Sequence, residues 1–262
     1  MNQHEKGERF RALHEGDPFV IPNPWDIGAA RVLEGLGFPA LATTSSGFAF
    51  TLGRRDGGAT LDEVVAHVGA MAAATDVPLA VDLEHGHGPA AADVARAIER
   101  IAEAGAVGGS IEDWEPDNGV LYDREEAAER VAAAAGIARG LGFPFLLAGR
   151  AENFLHGNPD LDDTIARLQA YADAGADVLY APGLSTADQI RAVCDAVGKP
   201  VNVLARPDLR RDDIFAAGAQ RISVGGALTW VATSAALDAA RRIRDDGDFS
   251  ALGAGPPREW LA

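Results

Sequence analysis

The segment PLAVDLEHGHG at residues 78–88 decides the fold, because an apolar strand-like run there gives way to a glycine-rich loop that carries Asp82 and Glu84. The next apolar stretch ends at a further acid, Glu112, and the one after it ends at Arg150. Charged side chains at the same end of successive parallel strands meet around one small volume. The pattern therefore predicts a parallel sheet with a shared site at its strand ends.

Outward from this segment, eight apolar and β-branched stretches alternate with alanine-rich helical stretches, as in a sheet built from strand–helix units. The predicted strands are residues 19–23, 40–45, 78–84, 107–113, 143–150, 178–183, 200–206 and 221–226. Eight such units favour a closed (β/α)8 barrel of the TIM type. A doubly wound open sheet, which needs fewer strands, is the alternative that the sequence leaves open.

The chain has 262 residues and 47% hydrophobic content, which fits one α/β domain over residues 1–262 better than two small ones. Within it, residues 1–18 are predicted to contain a leading helix beneath the barrel. Residues 247–262 form a predicted C-terminal arm with Pro256, Pro257 and Trp260. An arm that ends in an aromatic side chain suits contact with a neighbouring subunit, so we expect a homo-oligomer.

The formal net charge of -16 argues against nucleic acid and against an anionic membrane surface as partners, because both would be repelled. An anionic substrate would then need a local cation. The charged N-terminus lacks the apolar core of a secretion signal, and no apolar run reaches the length of a membrane span. We therefore predict a cytoplasmic protein.

The predicted metal site consists of carboxylates alone. Asp82 and Glu84 lie two residues apart on one strand and so share a face, while Glu112 ends the adjacent strand. Asp56 follows Gly53-Arg54-Arg55 in the loop after the second strand. Clustered acids repel unless a cation joins them, and oxygen ligands favour Mg²⁺, with Mn²⁺ as a substitute, over zinc. The alternative is that each acid caps the helix that follows it.

Two further features predict how a substrate is held. Arg150 follows apolar and small residues, so its guanidinium would enter the barrel mouth and clamp a carboxylate or phosphoryl group. The alternative for Arg150 is a buried ion pair with Glu112 or Glu152. The TTSSG turn at residues 43–47 offers backbone amides for carboxylate or enolate oxygens. The polar loop at residues 114–120 is either a lid or a plain surface loop.

Taken together, these motifs resemble the isocitrate lyase and phosphoenolpyruvate mutase superfamily. The likeness runs through Asn23-Pro24-Trp25-Asp26, Thr44-Ser45-Ser46-Gly47, Gly53-Arg54-Arg55-Asp56, the 82–88 segment, Ile111-Glu112-Asp113 and Ala148-Gly149-Arg150-Ala151-Glu152-Asn153. The resemblance implies a (β/α)8 barrel whose last helix is exchanged between partners in a dimer or tetramer. It also implies Mg²⁺ and a small anionic 2-oxo acid, or its enolate, as ligands.

By position, the resemblance gives each site residue a role. Asp82 looks like the direct metal ligand, and Asp56, Glu84 and Glu112 look like carboxylates that hold metal-bound water. The substrate-binding set is then Trp25, Thr44, Ser45, Ser46, Gly47 and Arg150. Asn118 is an approximate counterpart of a reactive asparagine in the mutase loop. The catalytic set that we predict is Asp56, Glu112, Asn118 and Arg150.

One departure narrows the expected reaction. The lyase branch carries a Lys-Lys-Cys-Gly-His loop after the fourth strand, whereas this chain reads Glu115-Pro116-Asp117-Asn118-Gly119 and has no cysteine there. We therefore predict an enzyme that breaks a C–C or P–C bond of a 2-oxo acid through an enolate. The candidate reactions resemble those of oxaloacetate decarboxylase, of phosphonopyruvate and carboxyphosphonoenolpyruvate enzymes, and of methylisocitrate lyase.

Two other functions stay open at this point. Residues 86–91 fit a Gly-x-Gly-x-x-Ala dinucleotide fingerprint between a strand and a helix. A pyrophosphate there would face Asp82 and Glu84 without compensating cations, which disfavours a nucleotide-dependent oxidoreductase. A barrel that binds a 2-oxo acid without turning it over is the other alternative.

Overall fold

A computed structural model describes residues 1–253 and 255 of the chain. Its strands are β1 (Phe19–Ile21), β2 (Leu41–Ala42), β3 (Leu79–Asp82), β4 (Gly108–Glu112), β5 (Trp114–Glu115), β6 (Val120–Leu121), β7 (Leu146–Arg150), β8 (Val178–Tyr180), β9 (Val201–Leu204) and β10 (Arg221–Ser223). Eight of them form a parallel sheet in the order β1-β10-β9-β8-β7-β4-β3-β2. The Ala42 amide donates to the Pro22 carbonyl at 3.1 Å, which links the two ends of this order. The predicted (β/α)8 barrel is confirmed.

Helices follow the barrel strands on the outside. They are α1 (Gln3–Glu15), α2 (Ile27–Gly35), α3 (Ser45–Thr51), α4 (Leu61–Ala74), α5 (Ala91–Glu103), α6 (Arg124–Gly140), α7 (Leu161–Asp173), α8 (Ala187–Ala196), α9 (Arg211–Ala216) and α10 (Ala227–Asp246), with a 3-10 helix at Ser250–Gly253. On α5, Val94, Ile98 and Ile101 recur at helical spacing and are fully buried. Each such side chain stabilises the barrel by about 1.5–3 kcal/mol.

The first helix, α1, packs against the amino-terminal end of the barrel. Phe10 is fully buried among barrel-interior residues such as Ala80 and Val178. A Cβ atom on Gly108 would lie 2.7 Å from Cε1 of Phe10, so only glycine leaves room for this plug. The buried Lys6 ammonium donates to the Thr75 carbonyl at 2.5 Å and anchors α1 against the end of α4.

The last helix, α10, lies apart from this packing. Of its 20 residues only Thr229 is buried, while Val231 is 66% exposed and Leu237 is 49% exposed. The other barrel helices bury an apolar stripe, so α10 has an apolar surface that the described chain leaves uncovered. The predicted contact of Pro256, Pro257 and Trp260 with a neighbour lies outside the described residues.

Two segments differ from the sequence prediction. The turn predicted at residues 43–47 instead contains the start of the helix α3, which Thr44 caps. The polar loop predicted at residues 114–120 instead belongs to an antiparallel hairpin of β5 and β6. No helix within the described part of the chain is both long and apolar enough to cross a lipid bilayer.

Candidate active site

A cavity of about 180 Å³ lies within the carboxyl-terminal end of the barrel. Among the residues that line it are Ser45, Ser46, Asp56, Asp82 and Arg150. These side chains come from the loops after β2 and from the ends of β3 and β7, so the barrel's register brings them together. The predicted site at the strand ends therefore has a physical cavity.

Arg150 is the electrostatic centre of this cavity. Its Nη1 atom lies 3.1 Å from Oε2 of Glu112 and 3.4 Å from Oδ1 of Asp82, and its Nε atom donates to Glu152. Burial alone would lower the pKa of Arg150, but these carboxylates raise it well above its usual value. Arg150 therefore forms both of the ion pairs that the sequence left open as alternatives, one with Glu112 and one with Glu152.

The acidic side chains around Arg150 outnumber it, and burial raises the pKa of several of them. Burial, together with the nearby Asp82 and Asp56, raises the pKa of Glu84 to about 8. Burial also raises the pKa of Glu112 well above its usual value. For Asp56, burial raises the pKa, while a hydrogen bond from Ser45 opposes the shift. Five acids therefore surround one arginine here: Asp56, Asp82, Glu84, Glu112 and Glu152.

This donor set fits a hydrated Mg²⁺ ion. Within residues 1–253, no three His, Cys, Asp or Glu side chains stand close enough together to bind one ion directly. Mg²⁺ keeps several of its waters and takes only one or two carboxylates directly. Asp82 and Asp56 line the cavity, and Glu84 and Glu112 are near enough to Asp82 for its charge to raise their pKa values. An all-oxygen set with surplus negative charge suits such an ion.

The acids do not cap the helices that follow them. Helix α5 begins after Ala90, whose amide donates to Asp93 at 3.0 Å, and Thr60 caps α4. The capping alternative is therefore wrong for Asp82, Glu84 and Asp56. The Asp93 carboxylate also occupies the start of α5, where a dinucleotide pyrophosphate would bind, so the geometry opposes the nucleotide alternative as well.

A strained turn places Glu84. The strand β3 ends at Asp82, so the prediction that Glu84 shares its strand and its face is wrong. Glu84 and His87 instead have φ angles of 51° and 58°, in the left-handed region that side chains other than glycine rarely adopt. Nε2 of His87 is buried without a hydrogen-bond partner and lies 4.0 Å from Oε2 of Glu84. Such strain is often stored at functional sites.

Helix α3 presents its amino-terminal amides to the cavity. The Ser45 amide donates to Oδ2 of Asp82 at 3.1 Å, and the side chains of Thr44, Ser45 and Ser46 line the cavity. A helix amino terminus carries partial positive charge and favours an anion. Gly47 packs behind this helix start, where an added Cβ would lie 2.9 Å from Cβ of Trp25. Gly47 and Trp25 thus support α3 and do not line the cavity.

Asn118 is a predicted site residue that does not line the cavity. It is exposed in the turn of the β5–β6 hairpin, where its amide donates to Glu115 at 3.2 Å. It lines a separate surface groove with Pro89 and Val120. The hairpin itself rests on the barrel through Trp114, whose ring stacks on His156 at 3.4 Å.

Other polar residues hold the site residues in place through hydrogen bonds. Asp113 accepts hydrogen bonds from Tyr171 at 2.5 Å, from Arg167 at 3.0 Å and from the Glu152 amide at 2.8 Å. These contacts give Asp113 a structural role, in which it fixes Glu152 beside Arg150. Asn23 accepts from the Val224 amide at 2.8 Å and so joins β1 to the segment after β10.

Sequence reasoning missed the polar residues deeper in the cavity, which are Tyr180, Asn202, Arg221 and Ser223. They occupy inward positions of β8, β9 and β10. The alternation of polar and apolar residues at Arg221, Ile222 and Ser223 was a signal, but alternation in a strand does not say which face is the barrel interior.

Comparisons with known proteins agree with this geometry. The family model for phosphoenolpyruvate phosphomutase matches residues 10–244. An oxaloacetate decarboxylase of Rhodopseudomonas palustris is 32% identical over 90% of this chain and 84% of its own length. The 2-methylisocitrate lyase of Escherichia coli is 30% identical over 77% of this chain and 70% of its own. The crystal structure of a Burkholderia cenocepacia protein described as a lyase/mutase superposes with a TM-score of 0.95. It is 50% identical and covers 99% of this chain and 95% of its own.

Proposed function

The chain belongs to the phosphoenolpyruvate phosphomutase family of lyases and mutases, and from this premise we propose that it is a Mg²⁺-dependent enzyme that breaks a bond at C3 of a small 2-oxo acid. The observation that carries the proposal is Arg150, held among carboxylates and beside the amides of α3 in one cavity. This combination suits an anionic substrate that becomes an enolate.

In the proposed complex, the substrate carboxylate lies at the start of α3, against the Ser46 amide, because the Ser45 amide already donates to Asp82. The guanidinium of Arg150 donates to the C2 oxygen, on which negative charge grows as the C3 bond breaks. Because the interactions with Arg150 strengthen as the enolate forms, they lower the barrier and not only the free energy of binding. Glu112 and Glu152 hold the guanidinium in place throughout.

Mg²⁺ would be held by Asp82 and, through water, by Asp56, Glu84 and Glu112, and when bound it supplies a Lewis acid for the substrate oxygens. The chain's own part is to hold these carboxylates in place. Glu84 is fixed by the strained turn and Asp82 by the Ser45 amide.

Among the candidate reactions, decarboxylation of oxaloacetate fits the site best. Loss of CO₂ needs an electron sink and a proton for the resulting enolate, but it needs neither a general base nor a cysteine acid. A tricarboxylate such as methylisocitrate would bring three negative charges to a cavity of about 180 Å³ whose mouth already holds several acids. A four-carbon dicarboxylate brings fewer charges and is smaller.

The test is a turnover screen with Mg²⁺ that compares oxaloacetate, phosphonopyruvate and methylisocitrate. We expect oxaloacetate turnover that EDTA abolishes and that Asp82→Asn lowers at least about 100-fold in kcat/KM. Asp62→Asn, which neutralises an acid with 83% side-chain exposure, is the matched control and should change nothing. No turnover of any of these substrates, or equal turnover in EDTA, would refute the proposal.

We further propose that α10 is exchanged with a second subunit in a homo-oligomer. The exposed Val231 and Leu237 support this, because an apolar helix surface is stable when a partner covers it. Light scattering should give at least a dimer for the full chain and a smaller mass for the double variant Val231→Asp, Leu237→Asp. A monomeric parent chain would contradict it.

A further inference from the structure

Arg221 is a buried cation inside the barrel. It lies on β10, is 7% exposed and lines the inner part of the same cavity that Arg150 lines. Its Nε atom donates to Oδ1 of Asn202 at 2.9 Å, and its Nη1 atom contacts Nε2 of His14 at 3.1 Å. No carboxylate of residues 1–253 forms an ion pair with it, and Nη2 has no hydrogen-bond partner among them.

The groups around Arg221 are neutral. Burial, together with the nearby Arg221, lowers the pKa of His14 to about 3, so this imidazole is uncharged at neutral pH. Its Nδ1 atom lies 2.8 Å from the Phe10 carbonyl, which leaves Nε2 as the acceptor for Arg221. Burial raises the pKa of Tyr180 to about 12, so this side chain is neutral too.

Arg221 itself keeps its charge. Burial lowers its pKa to about 10, which is still far above neutral pH. A buried charge with only neutral partners is costly, and proteins normally pair it with an opposite charge. Since residues 1–253 supply none, a compensating charge has to come from outside these residues.

We propose that the inner end of the cavity is an anion-binding site, in which Arg221 pairs with a small monovalent anion, either a halide or a carboxylate group. The free Nη2 edge of Arg221 supplies the charge. Ser223, which accepts from Asn202 at 2.9 Å and hydrogen-bonds Tyr180, supplies a hydroxyl beside it. The site is separate from the carboxylate cluster at the mouth and does not depend on the proposed reaction.

A polar path joins this site to the mouth of the barrel. Arg221 bonds Asn202, Asn202 bonds Ser223, and Ser223 bonds Tyr180. The guanidinium of Arg150 lies over the Tyr180 ring at 5.2 Å. An anion on Arg221 would therefore occupy one end of a connected network whose other end is Arg150.

The experiment measures thermal unfolding of the full chain in EDTA, without substrate, at constant ionic strength set by the bulky anion gluconate. Chloride and formate replace gluconate in separate titrations, which distinguish a halide site from a carboxylate site. For at least one of them we expect a saturable rise in Tm of about 4 °C at ten times the dissociation constant. Arg221→Met should lose most of this rise. Arg139→Met, which removes an exposed arginine, is the matched control and should keep it.

Arg221→Lys is a second variant that keeps the proposal testable if Arg221→Met does not fold. It retains a positive charge but changes the geometry of the donors, so the midpoint of its anion titration should move at least threefold. Either result supports the site: loss of the rise in Arg221→Met, or the shifted midpoint in Arg221→Lys. Equal Tm values in gluconate, chloride and formate for the parent chain would overturn the proposal. So would an unchanged anion response in both Arg221 variants.

Discussion

From the raised pKa of Glu84 we predict how the stability of the metal-free protein changes with pH. Its carboxyl group has a pKa of about 8 in the folded chain, against a usual value near 4.5. The folded state therefore holds a proton that the unfolded state releases between these values. The free energy of unfolding should fall by about 1.4 kcal/mol for each pH unit between pH 5 and pH 8 because of this group alone.

Glu84→Gln removes that contribution. In EDTA, the variant should lose this part of the pH dependence and should be more stable than the parent chain at pH 8 by about 2–4 kcal/mol. Glu84 has only 12% side-chain exposure, so solvent screening reduces this difference little. Glu99→Gln, on the exposed face of α5, is the matched control and should follow the parent chain.

The assay is urea unfolding followed by circular dichroism at half-unit steps from pH 5 to pH 8, first in EDTA and then in Mg²⁺. Mg²⁺ should stabilise the parent chain most at high pH, where Glu84 must be ionised, and should stabilise Glu84→Gln less. Parallel curves of stability against pH for the parent chain and Glu84→Gln in EDTA would refute the reasoning.

Three further predictions concern stability and turnover. The pKa of His14 is lowered to about 3, so His14 alone should contribute a loss of about 1.4 kcal/mol per pH unit from pH 6.5 to 4.5, opposite in sign to the contribution of Glu84. Compared with the parent chain, His14→Gln should lack this loss, and parallel curves of stability against pH for the two in urea unfolding would contradict it. Gly47→Ala should destabilise the fold by about 1–3 kcal/mol, because the added Cβ would lie 2.6 Å from Oγ1 of Thr229. Gly136→Ala, which has open space around it, should instead stabilise α6 by about 0.5–1 kcal/mol. Similar Tm shifts for the two variants would contradict this packing. Arg150→Lys should lower kcat/KM for oxaloacetate at least about 100-fold, and an unchanged value would remove Arg150 from the reaction.

The sequence predicted the barrel because its signals are local and repeated. Most strands are short apolar runs, and helices such as α5 have an apolar stripe, here Val94, Ile98 and Ile101, that packs against the sheet. We predicted that Asp82, Glu112 and Arg150 lie close together because parallel strands bring their carboxyl ends to one edge of the sheet.

Other parts of the site depend on three-dimensional packing. Helix α3 is seven residues long with a glycine inside it, so it has too few apolar positions to show a helical period, although Thr44 was a cap signal. Glu84 leaves its strand because the chain adopts a left-handed turn, which sequence patterns rarely reveal for a glutamate. The arginine in the barrel interior, Arg221, went unrecognised because its partners Asn202 and His14 lie far away along the chain.

Binding of oxalate, a planar dianion that mimics the enolate of a 2-oxo acid, tests the central claim most directly. Isothermal titration should show oxalate binding at least about tenfold more tightly in Mg²⁺ than in EDTA, and this gain should disappear in Asp82→Asn but persist in Asp62→Asn. Equal affinity with and without Mg²⁺, or a gain that survives Asp82→Asn, would contradict a metal-assisted enolate site at the mouth of this barrel.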